Sequence, residues 1–116
     1  MSEAQCDFCN SREIAWRYRA ESFVIDTLMT IQGKQIRFPW GSEGDWAACE
    51  FCSNLIETDK WEELADHSTQ TSPFLELLRP SEISGLRVAI AQLHQTFNQK
   101  RIGQRMRGWE MPKKGH

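Results

Sequence analysis

The chain has 116 residues with 40% hydrophobic and 26% charged side chains and a formal net charge of −2, which fits one small globular unit with a modest core. No apolar run approaches the ~20 residues of a membrane span. The start, Met1-Ser2-Glu3-Ala4-Gln5, has neither a basic leader nor an apolar segment, so secretion and membrane insertion are not expected and a cytoplasmic location is.

Every cysteine falls in one of two Cys-x-x-Cys pairs, Cys6/Cys9 and Cys49/Cys52. Four thiolates grouped two by two are what a tetrahedral zinc ion requires, and a closed tetrathiolate site supplies folding energy rather than chemistry. Two disulfides are the alternative. The paired spacing and the reducing compartment expected here favour a metal, with zinc first and iron also accepted by such a donor set.

From Glu13 to Arg19 the residues alternate, with Ile14, Trp16 and Tyr18 on one side, which predicts a half-buried strand. Phe23, Ile25, Met29 and Ile31 share a parity, as do Ile36, Phe38 and Trp40 after Gln32-Gly33. These form a predicted hairpin, and Pro39 places its second strand at an edge. Gly41-Ser42-Glu43-Gly44 then connects to Trp46 and the second cysteine pair.

After Cys52 the pattern turns helical through Leu55 and Ile56. Asp59, with Glu62 three residues on, reads as the N-cap of a second helix. Ser72-Pro73 opens a short turn with Phe74, Leu77 and Leu78, and Pro80-Ser81 introduces the longest helix, whose Ile83, Leu86, Ile90, Leu93 and Phe97 follow a helical rhythm. That stripe must be buried, against the protein's own sheet or in a homodimer or partner helix; two heptads are few for a coiled coil, which favours the first. Past Ile102 the glycines, Pro112 and basic residues predict a fraying tail. The expected division is residues 1–70 as the metal-binding domain, 71–102 as a helical segment packed on it or on a partner, and 103–116 as a flexible basic tail.

Asn10, which tolerates a left-handed conformation, follows the first pair, while a helix can run on from the second. Knuckle, strands and a helix carrying the last two ligands is the order of a treble-clef finger, and the 39 residues between Cys9 and Cys49 leave room for three strands. The fold class is therefore α+β: a small zinc-stabilised treble-clef-like domain of short antiparallel sheet plus helix, followed by a C-terminal helical segment. A zinc ribbon is the runner-up.

Cys6-Asp7-Phe8-Cys9, Ala15-Trp16-Arg17-Tyr18, and Asp45-Trp46-Ala47-Ala48-Cys49 leading to Cys52-x-x-Leu55-Ile56-Glu57 resemble a group of small bacterial zinc-finger-like proteins of uncharacterised function. The resemblance covers about residues 6–68. It implies a cytosolic bacterial protein with a zinc site and brings no activity with it.

No enzyme signature stands out. Asp7-Phe8 and Glu50-Phe51 place a carboxylate inside each cysteine pair, which disfavours a reactive thiolate, and no thioredoxin-like pattern surrounds them. Four cysteines leave zinc no site for water. His67, His94 and His116 lack partners at ligand spacing; His67 suits the last turn of a helix, and His94 reads as an ordinary helix-surface residue. Gly41-Ser42-Glu43-Gly44 lacks the Lys-Ser/Thr of a phosphate loop.

Charge is divided unequally. Residues 1–99 carry eight Lys/Arg against fifteen Asp/Glu (−7), and residues 100–116 carry six against one (+5). Of the five tryptophans, Trp109 sits among these cations, an arrangement suited to gripping a protein groove or stacked bases. Arg101, Arg105, Arg107, Trp109, Lys113 and Lys114 are the candidate partner-binding residues. The expected function is a non-enzymatic zinc-stabilised interaction module that binds a protein partner or a second copy and takes no small-molecule substrate; the alternative is a nucleic-acid binder using the basic C-terminus.

Overall fold

The computed structural model describes residues 5–42 and 44–107 of the chain. Its strands are β1 (Trp16–Ala20), β2 (Phe23–Ile31), β3 (Lys34–Ser42), β4 (Trp46–Ala48) and β5 (Arg101–Arg107), and its helices are α1 (Glu50–Glu57), α2 (Trp61–Gln70) and α3 (Ile83–Lys100). Two antiparallel sheets result, one ordered β4-β1-β5 and the other the β2-β3 hairpin.

The hairpin follows from its turn. Gln32 and Gly33 take φ of 54° and 80°, the paired positive values of a tight turn whose twist matches the strands. Ile31 pairs with Lys34 and the register runs unbroken to Phe23 and Ser42, so Met29, Phe38 and Trp40 share the inward face. Val24 and Leu28 face outward at 72% and 61% exposure. Glu82, just before α3, clamps the turn: its carboxylate accepts the backbone N–H groups of Gln32 at 2.9 Å, Gly33 at 2.7 Å and Arg79 at 2.9 Å. These bonds, led by that from Arg79, hold its pKa below the usual carboxylate value.

Asp59 does not cap α2. It closes α1 instead, at φ 56°, with its own N–H donating to the Ile56 carbonyl and that of Lys60 donating to Leu55. This is a Schellman arrangement, in which a left-handed residue satisfies the last helical carbonyls, and Asp takes that conformation more readily than most residues. Helix α2 starts from Lys60 without a side-chain cap. Ser72 does cap the Pro73–Leu77 turn, through its hydroxyl and the Phe74 N–H.

Leu86, Ile90 and Phe97 of the α3 stripe are buried within the chain, and Ile83 and Leu93 are half-buried. Leu86 and Ile90 join Met29, Phe38, Trp40 and Phe74 beneath the hairpin. Phe97, fully buried, reaches a second cluster of Phe8, Tyr18, Trp46, Leu55, Ile56 and Leu64 around the cysteines. Helix α3 thus spans both clusters, and α2 packs alongside it, with Asp66 paired to Arg87.

The expected fraying past Ile102 is corrected over residues 103–107. The chain leaves α3 and returns along β1 as β5, with Arg101 opposite Ala20 and Arg107 opposite Trp16. Gly103, at φ 70°, lies where the register shifts between Arg17 and Arg19, a kink that lets the strand continue. Among the described residues no helix is long and apolar enough to cross a membrane.

Candidate metal centre

The first cysteine pair sits in a knuckle. Asn10 takes φ 67° and donates its N–H to the Cys6 carbonyl at 2.9 Å, while the Cys6 N–H reaches Ser11 at 2.7 Å, so the chain doubles back and both thiols face inward. Asp7 fastens this knuckle to β4: its N–H donates to the Ala47 carbonyl at 2.8 Å and its carboxylate accepts the Ala47 N–H at 2.7 Å. Phe8 plugs the core, 5.1 Å from Trp46 and 5.2 Å from Phe97 between ring centres. Sequence reasoning saw Asp7-Phe8 as a reason against redox chemistry and missed this anchoring role.

The second pair belongs to α1. Cys49 is its N-cap, with its sulfur accepting the Cys52 N–H at 3.5 Å. A helix start presents free N–H groups and a partial positive charge, which stabilises thiolates.

The four sulfurs lie within 4.8 Å of one another, all four cysteines are buried and none is in a disulfide. Cys9 and Cys49 approach to 3.6 Å. Zinc–sulfur bonds of about 2.3 Å in a tetrahedron place sulfurs roughly 3.8 Å apart, so the donor set fits that ion. Without a cation the thiols resist ionising together. The Cys6 thiol is drawn down to about 5 chiefly by a hydrogen bond from Cys52; the same bond pushes Cys52 up, and burial pushes Cys9 to about 12. A divalent cation offsets this accumulation of negative charge, so its binding releases protons and weakens in acid.

The centre is not equally sealed on all sides. Cys6 and Cys52 are 1% and 0% exposed, while Cys9 and Cys49 are each 8% exposed and border a cleft of about 500 Å³ with Ile14, Phe51 and His67. His67 occupies the last turn of α2 and packs edge-on to Phe51 at 4.6 Å.

The candidate partner residues divide. Arg101, Arg105 and Arg107 lie on β5 and are held by the body: Arg105 and Arg107 stack on the Trp16 ring at 3.7 and 4.1 Å, Arg105 donates to the Ser53 hydroxyl at 2.7 Å, and Arg101 pairs with Glu57 at 3.6 Å. Trp109, Lys113 and Lys114 lie outside the described residues, as does His116.

His94 is not the surface residue expected. It is 2% exposed, 5.3 Å from the Phe8 ring, and its Nδ1 lacks a hydrogen-bond partner; burial lowers its pKa to about 4. The position flanks the apolar stripe, but Phe8 and α2 cover that flank, which the helical rhythm alone could not show. Because the folded pKa is depressed, the stability it allows is fully present above the unfolded value near 6.5 and is lost as pH falls toward 4, by about 3 kcal/mol over that window. Denaturant melts across this range should show the loss, and His94→Gln should reduce it to the part that comes from weaker metal binding in acid.

Searches of protein-family models, of curated proteins and of solved structures find no match to this chain.

Proposed function

We propose that this protein is a zinc-stabilised, non-enzymatic interaction module of the bacterial cytoplasm, acting as an adaptor that binds another protein. The observation that carries the reading is the convergence of all four cysteines into one buried cluster. Four sulfurs complete a tetrahedral shell and leave zinc no open position for substrate or water, so the ion acts as a staple. The knuckle, the intervening strands and a helix that begins at Cys49 and carries Cys52 in its first turn support a treble-clef-like description, in keeping with the small bacterial zinc-finger-like proteins that the motifs resemble.

The partner surface in this reading is the outer edge of β5, with Arg101, Arg105 and Arg107 and the residues beyond it, including Trp109, Lys113 and Lys114. Their engagement with Trp16, Ser53 and Glu57 pre-organises the arginines, so that less side-chain entropy is lost on binding. One observation favours nucleic acid as the second reading. Pairing of β1 with β5 gathers Arg17, Arg19, Arg101, Arg105 and Arg107 on two adjacent strands. Against it, residues 1–99 carry a net −7.

Fluorescence anisotropy with labelled single-stranded DNA separates the two. The protein-binding reading expects no saturable binding at physiological salt. Saturable binding that weakens steeply with salt, with a logarithmic slope of about −0.7 per phosphate contacted, and that disappears with Arg101→Glu would establish the second reading instead.

A further inference from the structure

We propose that the seam between the two core clusters is a binding site for a small, flat, uncharged nitrogen heterocycle of about nucleobase size. A cavity of about 210 Å³ opens there, with the rings of Phe8, Trp40 and Phe74 and the polar side chains of Asp7, Ser68 and His94 in its lining. The volume holds roughly seven waters at ~30 Å³ each and falls short of the ~300 Å³ at which drug-sized pockets begin. One or two fused rings match it.

The chemistry just behind the walls narrows the class, because Trp40, Ser68 and His94 border the cavity while their unpaired polar atoms are buried beneath its surface. Trp40 Nε1, Ser68 Oγ and His94 Nδ1 are buried without a hydrogen-bond partner in the protein. They come from β3, α2 and α3, so no local turn or cap explains their gathering. Each such group costs about 1–3 kcal/mol when left unmet, and Ser68 and His94 are only 4% and 2% exposed. An indole N–H only donates, a hydroxyl does both, and a neutral imidazole donates at one nitrogen and accepts at the other. A heterocycle whose edge carries both donors and acceptors meets that mixture, given side-chain shifts that bring these atoms to its edge. Aromatic rings line the cavity too, with Trp40 and Phe74 packed on one another 25° from parallel at 6.4 Å between centres and His94 bordering Phe8. Binding there would bridge the hairpin, α2 and α3, tying occupancy to the packing of one cluster against the other.

The test is nitrogen–proton NMR on the full zinc-loaded chain, following the Trp40 indole N–H while adenine, uracil, nicotinamide and benzene are added in separate titrations. At least one heterocycle is expected to shift that resonance saturably and benzene is not. Ser68→Ala should weaken the heterocycle about fivefold with an unchanged circular dichroism spectrum. The proposal is overturned if no heterocycle moves the Trp40 signal up to its solubility limit, as a site for structural water alone would behave. It is equally overturned if benzene binds as well as the heterocycles, or if Ser68→Ala leaves the affinity unchanged.

Discussion

Replacing Cys52 with serine is expected to unfold the region around the cysteines, with loss of near-ultraviolet circular dichroism from Trp46 and of the cooperative melt. Cys52 is fully buried and belongs both to the four-cysteine cluster and to the first turn of α1, so the substitution removes one of four candidate ligands and leaves a hydroxyl among sulfurs. Structural zinc sites contribute on the order of 10 kcal/mol, comparable to the ~5–15 kcal/mol that holds a whole domain together. Chelation should produce the same spectrum, entering by the cleft beside Cys9 and Cys49, and restored zinc should reverse it. Unchanged dichroism after complete chelation would mean that the core stands without metal.

Truncation after Lys100 is expected to have the second largest effect. A free tail would be dispensable, but β5 is one of the two neighbours of β1. Its loss uncovers Trp16, which Arg105 and Arg107 cover, and removes the Arg105 bond to Ser53. Ser53 is fully buried and shares its hydroxyl with Tyr18 at 2.8 Å, while the Tyr18 hydroxyl also donates to Glu57 at 2.9 Å. A charge-assisted bond of this kind is worth about 1.5–3 kcal/mol, before the strand ladder and the ring contacts are counted. A fall in Tm of about 10 °C or more in calorimetry is the expected result. Truncation after Arg107 is the control; if both variants melt alike and close to the full chain, β5 does not contribute to stability.

The elements that were legible in the sequence are those with a local cause. Period-two alternation located β1 and the hairpin, Gln32-Gly33 marked the turn, Asn10 marked the knuckle, and the cysteine spacing marked the four thiols that the fold brings into one cluster. What escaped depended on partners distant in the chain. Residues 103–107 read as tail, and Arg101 and Ile102 as the end of the helical segment, because glycine and cations are poor strand formers; Trp16, Ser53 and Glu57, some 44 to 91 residues earlier, supply what local propensity lacks. Asp59 satisfied the pattern of an N-cap equally well as that of a helix terminator, and the short link between α1 and α2 decided for the latter. The burial of His94 and the role of Glu82 as a hairpin clamp each join segments that no window of sequence contains.

X-ray absorption at the zinc edge of the purified, unmodified protein tests the account most directly. One zinc per chain with four sulfur neighbours at about 2.3 Å and no nitrogen or oxygen in the shell is the predicted spectrum. A folded protein without zinc, or a zinc ion holding an oxygen or nitrogen ligand, would contradict the closed tetrathiolate centre on which both the fold and the proposed function rest.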